Sequence, residues 1–202
     1  MKDVTLAQGN QVLNLILQKK IPTEQLQKLL ASGLVSDLLD ANLENGVDRN
    51  VFRRLIGLMP LNTFIVTVNY DLSVEEAVKA GKYDSSNNNI MTKNFSSNRR
   101  GKTEAEITLI HFDSCMESED VIREIDKQGF RLAELLELLA FGAKYPDVQR
   151  DFPIVALGSA WQIPDGVRRM PCLGRVAGER VLDLGWFGSG WRSDVRFAVL
   201  RK

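Results

Sequence analysis

Histidine, cysteine and tryptophan are scarce in this chain: of 202 residues one is His, two are Cys and three are Trp. His111 has no second imidazole and no cysteine at metal-ligand spacing, so no metal centre is expected. Cys115 and Cys172 are too few for a disulfide framework in a chain of this length. Their plainest reading is two free thiols that behave as small hydrophobes. There is no excess of one charge. Lys+Arg and Asp+Glu number 26 each, which argues against a nucleic-acid partner held by phosphate neutralisation. No apolar run reaches the ~18 residues of a membrane span. Met1 to Thr5 lacks the apolar core of a signal peptide, so a cytoplasmic location is expected, with export by another route left open. Neither a phosphate-cradling loop nor a dinucleotide fingerprint occurs, and no cofactor is expected.

What is present reads as a soluble globular protein, 44% apolar and 26% charged. Residues 1–60 have helical periodicity. Leu6, Val12, Leu13, Leu15, Ile16 and Leu17 form one stripe. Pro22-Thr23 breaks it, and Thr23 is placed to cap a second helix carrying Leu26, Leu29 and Leu30, which Gly33 ends. Leu34, Leu38 and Leu39 make a short third helix. After the turn signal Asn45-Gly46, Asp48 caps a fourth with Val51, Phe52, Leu55 and Ile56, and Gly57 stops it. Such a module is too small to bury a core alone, so a partner surface is expected, either the rest of the chain or a second copy in a homo-oligomer.

From Asn62 the pattern becomes mixed. Phe64 to Val68 is β-branched and aromatic, as in a strand. Ser73-Val74-Glu75-Glu76 is a capping box. Residues 84–101 are rich in Asn, Ser and Arg and predict a long surface loop. Residues 104–112 alternate as a second strand, with Ala105, Ile107, Leu109 and His111 on one side. Helices are expected over 118–127 and 133–144. A short buried strand over 153–157 follows, then strands over 170–173, 181–186 and 195–200, joined by Gly-rich turns.

Three motifs stand in the last third. Gly129-Phe130-Arg131-Leu132 precedes Glu134 and Glu137; Ala156-Leu157-Gly158-Ser159-Ala160-Trp161 follows; Trp191-Arg192-Ser193-Asp194-Val195-Arg196-Phe197-Ala198-Val199-Leu200 closes the chain. The first resembles the "G-x-R-L-P-T-x-x-E" start of the second helix in bacterial and phage C-type-lectin-like domains, with Ala133 where those usually have Pro. The second resembles the small-residue strand after it. The third resembles the "R-x-x-x-G-F-R-L" ending of the formylglycine-generating-enzyme subgroup, which includes the variable proteins of diversity-generating retroelements. The chain as a whole resembles proteins of candidate-phylum bacteria. The resemblance implies an α+β protein, a small helical module (1–60) before a C-type-lectin-like domain (61–202, core 104–202). In that fold the first and last strands adjoin, which places residues 107–111 beside residues 196–200. It also implies a fixed scaffold whose surface positions near the C-terminus are rewritten.

The subgroup's enzymes use paired cysteines near the C-terminus. Only Cys172 stands there, so that activity is not carried over. Gln162-Ile163-Pro164-Asp165 interrupts the calcium-dependent sugar motif with an Ile, and no Trp-Asn-Asp accompanies it. The expected function is non-catalytic binding of a protein or other macromolecule. The expected contact set is Cys172, Gly174, Arg175, Gly185, Gly188, Ser189, Gly190, Arg192, Ser193 and Asp194, exposed together and rimmed by Trp186 and Trp191. Trp186, Phe187 and Trp191 read equally as core anchors, whereas Trp161 and Phe197 read as core. Arg168, Arg169, Arg175, Arg180, Arg192, Arg196 and Arg201 read as a solvated face or an anion-binding one, with Arg131 and Arg196 structural. An enzyme using Cys172 or Cys115, and an assembly protein built on the helical module, are the alternatives.

Overall fold

The computed structural model describes residues 5–40, 52, 53, 56, 62–188 and 190–202. The chain divides into two units, residues 1–52 and 53–202.

In the first unit α1 (Leu6–Gln18) starts at a capping box, with the Gln8 amide donating to Thr5 Oγ1 and the Thr5 amide donating to Gln8 Oε1. α2 (Thr23–Ala31) is preceded by Pro22 in the cap position. Thr23 is thus its first helical residue and not its cap, a correction that follows from the fixed φ of proline suiting the chain entering a helix. Gly33 at φ +77° ends that turn, and α3 (Leu34–Asp40) follows. No residue of α1 or α2 is buried. The fourth helix expected from Asp48 to Gly57 lies outside the described residues apart from positions 52, 53 and 56.

The second unit is a mixed α+β structure around one nine-stranded sheet. In chain order it runs β1 (Thr63–Asn69), α4 (Val74–Gly81), β2 (Ser85–Ser86), β3 (Lys102–His111), α5 (Ser118–Lys127), β4 (Phe130–Leu132), α6 (Leu135–Lys144), α7 (Val148–Asp151), β5 (Ile154–Val155), β6 (Trp161–Gln162), β7 (Arg168–Val176), β8 (Glu179–Trp186) and β9 (Arg196–Arg201). The sheet order is β1-β3-β9-β5-β7-β8-β2, with β4 on β9 and β6 on β7. β3 and β9 pair antiparallel, Thr108 opposite Val199 and His111 opposite Arg196, the adjacency expected of those two segments. β5 joins the two halves of the sheet, parallel to β9 and antiparallel to β7.

Period-two alternation sends the two faces of the sheet into two cores. One gathers Val66, Ile107, Leu173, Leu182 and Leu184 with Leu135, Leu138, Leu139 and Phe141 of α6. The other gathers Val155, Met170, Phe197 and Val199 with Val121 and Ile125 of α5. Residues 84–101 are not the plain surface loop that their composition predicts. β2 pairs with β8, Ile90 and Phe95 are buried in the first core, and Thr92 donates to Glu75 from both its amide and its hydroxyl. Two apolar anchors suffice to fold a polar stretch back onto the sheet.

Candidate functional site

The frame around the C-terminal region is tied by buried polar clusters. Glu137 is fully buried in the first turn of α6 and takes a two-armed contact from Arg131, at 2.7 and 3.1 Å, on neighbouring β4. Tyr70 donates to the same carboxylate at 2.5 Å, and burial together with that carboxylate pushes its phenol up to about 12. Glu134 caps α6 reciprocally with Glu137 and accepts from Ser97 and Arg99. Arg131 is thus structural, as the motif around it implied.

A second cluster lies at the start of β8. Arg180 reads from sequence as part of an exposed arginine face, but it is buried. It donates to the carbonyls of Gly81 and Lys82 at the end of α4, to Gly142 in α6, and to Gln149 Oε1. A cation held at two helix C-termini meets the negative ends of both dipoles. Its guanidinium lies 4.9 Å from the ring centre of Tyr83. Side chains at positions 81 and 142 would overlap that tyrosine, each Cβ falling 2.3 Å from a ring or hydroxyl atom. These two glycines are required by a close approach that no one-dimensional pattern announces.

The remaining arginines are mostly stacked on rings. Arg168 lies 3.6 Å from the centre of Phe187, Arg169 4.2 Å from Trp186, Arg196 4.7 Å from Phe152 and Arg201 4.4 Å from Phe130. A solvated arginine face therefore describes only part of the set. Arg168 pairs with Glu119, and Arg192 with Asp194.

The expected contact residues do not form one face. Gly174 and Arg175 lie near the β7–β8 turn, whereas Trp186 is opposite Arg169 at the far end of the hairpin, six residues along β7 or roughly 20 Å at strand rise. Trp191 is a core anchor and not a rim residue. It is 8% exposed, its Nε1 donates to Ser118 Oγ at 2.8 Å, and its ring meets Phe197 edge-on at 6.0 Å. Gly185 lies beneath that indole, half-buried, where it leaves room for a flat ring. Cys172 is half-buried on β7 in the same core. Burial, reinforced by Asp183, pushes its thiol up to about 12. Phe187 is buried in the second core, one of the two readings its sequence allowed, and Trp161 is only half-buried, against its expected place in the core. Gly188, Gly190, Arg192, Ser193 and Asp194 are exposed as expected, and Ser189 lies outside the described residues. His111 reaches this loop, its Nε2 donating to the carbonyl of Ser193 at 2.6 Å and its Nδ1 lying 3.2 Å from Asp113 Oδ1. Cys115 is exposed nearby in sequence.

Since side chains alternate along β8, Trp186 points to the opposite side of the strand from Gly185 and its Trp191 cover. It is 54% exposed. Trp161 is opposite Arg169 on β6 and Trp186 opposite Arg169 on β8, so an indole–guanidinium–indole row crosses three strands. With Asn87, Asn89, Ile163, Asp183 and Leu184 these residues line an open groove of about 390 Å³. Asn87 donates to Asp183 Oδ1 at 2.8 Å and fixes one wall. Among the described residues Arg169 makes no ion pair, so its charge is offered to the groove. Of the groove residues only Trp186 stands in the expected contact set; Trp161 was expected in the core and Arg169 in an arginine face, and Asn87, Asn89 and Ile163 were missed, the two asparagines being brought in only by the packing of residues 84–101.

Among the described residues no helix is long and apolar enough to cross a membrane, and no cluster of three His, Cys, Asp or Glu side chains is placed to hold a metal. No family model, no curated protein and no solved structure matches this chain.

Proposed function

We propose that the protein binds a macromolecular ligand without catalysis, through the groove at Trp186 and the adjoining loop of residues 188–194. The observation that carries this reading is the exposed indole of Trp186 with the guanidinium of Arg169 stacked on its face, in an open groove where that guanidinium makes no ion pair among the described residues. Trp and Arg are the residue types most enriched at binding hot spots. The scaffold reads as C-type-lectin-like. The antiparallel β3–β9 pair, with α5, β4 and α6 following β3, supports that reading, as do the Arg131–Glu137 contact and the small-residue segment around Gly158, which seats against the Ala133 carbonyl. On the same reading the protein belongs with the variable proteins of diversity-generating retroelements, its exposed loop positions replaceable and its buried neighbours fixed. A cysteine-based reaction has less support. The thiol of Cys172 is held protonated by burial, and the thiolate is the reactive form.

The test is a displayed library of the whole chain randomised at Arg169, Gly188, Gly190 and Arg192 with Trp186 kept, selected on a panel of folded proteins. Binders whose affinity is lost when Trp186 alone becomes Ala support the proposal. A library that folds but yields no binders, or binders indifferent to Trp186, overturns it.

Assembly through the helical module is a second reading with its own observation. Ten apolar side chains from Leu6 to Leu39 are 40–82% exposed, and α1 carries no charge. At roughly 100 Å² of apolar surface for a fully exposed leucine, scaled by these exposures, this is on the order of 600 Å². A standard interface buries ~800 Å² per partner. Light scattering of the full chain and of its Leu13→Glu, Leu17→Glu variant tests it: a dimer that the variant dissociates supports self-association, and a wild-type monomer overturns it.

A further inference from the structure

The groove also contains an unfinished strand edge. β2 covers β8 only at Val181 and Leu182, and the Asn87 amide makes the last contact, donating to the Leu182 carbonyl. Beyond it the chain of residues 87–95 turns back, since the Ile90 amide donates to the carbonyl of Asn87. β8 continues to Trp186. Its pairing with β7 fixes which backbone groups face outward. The Phe187 amide donates to Arg168, so position 187 points inward and, two by two, positions 186, 184 and 182 point outward. The outward carbonyl of Leu182 taking Asn87 agrees with that alternation. Opposite Leu184 stands Pro171, which has no amide proton and whose carbonyl accepts from Ala156 on the other side. The N–H and C=O of Leu184 therefore face the groove, with no partner among the described residues. A lone donor–acceptor pair on a strand edge is a template for one more strand.

On the reading of this groove as the ligand site, we propose that its ligand is an extended peptide bearing an acidic side chain, added to β8 at Leu184. The peptide exchanges one N–H and one C=O with Leu184. Its carboxylate takes the guanidinium of Arg169, and an apolar neighbour lies against Trp186 and Trp161. Charge selects the partner: among the described residues the cation in the groove makes no ion pair, whereas the carboxylate of Asp183 is already held by Asn87.

Three capped pentapeptides of alternating Thr and Val test it on the isotope-labelled full chain. One has a central Glu, one a central Lys, and one has the central Glu with its flanking amides N-methylated. The Glu peptide is expected to slow hydrogen exchange at the Leu184 amide and shift the Trp186 indole signal. The Lys and N-methylated peptides are expected to bind about tenfold or more weaker, one charge-assisted hydrogen bond being worth at least that. Arg169→Gln is expected to erase the preference for Glu over Lys. Equal affinity of the methylated peptide, or unchanged exchange at Leu184 under saturation, overturns strand addition. A shifted Trp186 with an unchanged Leu184 leaves the groove as a binding site and removes only the added strand. Silence at both residues, joined to a library without binders, removes the binding reading as well.

Discussion

The indole of Trp191 rests on the bare backbone of Gly185: a Cβ at that glycine would lie 3.0 Å from Cη2 and 3.1 Å from Cζ3 of the ring. The two residues are close in sequence but meet across the turn after β8. Gly185→Val is expected to push this indole off Phe197 and Ser118 and to cost about 1–3 kcal/mol, the usual penalty of overpacking. Denaturant unfolding checks it, and a neutral result would show that the ring is free to move.

The same pair explains what the sequence makes legible and what it does not. The order of the longer strands and helices of 63–202 follows from periodicity, caps and turns, because Ser73 with Glu76 or the alternation of Ala105, Ile107 and Leu109 are local signals, whereas the short β2, β4, α7 and β6 carry none. Gly185 carries a local signal that misleads. A glycine beside Trp, Phe, Gly and Ser reads as an exposed contact position at the end of a strand, whereas it is a strand residue thinned for a buried ring. Arg180 misleads likewise, since its partners at Gly81, Gly142 and Gln149 are distant in the chain. The groove was half legible: its aromatics and Arg169 stand out by type, but Asn87 and Asn89 enter through tertiary folding alone.

Arg180 gives a second prediction. Arg180→Met removes the donors of carbonyls at the ends of α4 and α6 and should cost at least about 2 kcal/mol, each buried acceptor left unpaired costing ~1–3 kcal/mol. Arg180→Lys should not restore it, because one ammonium does not replace a planar fork that spans two helix ends. Full rescue by Lys in thermal unfolding would contradict the account.

Acid stability follows from Glu134. Burial works to raise its carboxyl, but the hydrogen bonds from Ser97 and Arg99 outweigh it and hold the group below its usual range. A carboxyl depressed in the folded state stabilises above its unfolded pKa, ~4.3, and loses that contribution as pH falls toward the folded value. Stability should therefore drop between about pH 5 and 3, and Glu134→Gln should be less stable at pH 7 with a flatter acid limb. Urea midpoints across that range check it; parallel limbs would contradict it.

The two thiols should differ in reactivity. Cys115 is exposed, whereas burial pushes the thiol of Cys172 up to about 12 and leaves it protonated at neutral pH. Iodoacetamide at pH 8 should label Cys115 and spare Cys172 until the chain is unfolded. Peptide mass mapping reads the order, and early labelling of Cys172 would contradict the packing around β7.

The account's central claim is that recognition positions are carried by the frame without supporting it. The most direct measurement is the melting temperature of one chain substituted together at Gly188, Gly190, Arg192, Ser193 and Asp194, set beside Trp191→Ala. Exposed substitutions usually shift stability by within ~0.5 kcal/mol each and of either sign, so the multiple variant should melt within about 5 °C of the parent. Trp191→Ala, at about 3–5 kcal/mol, should lose roughly 10 °C or more. A multiple variant that melts as low as Trp191→Ala would show that the loop is part of the fold, and the account would be wrong.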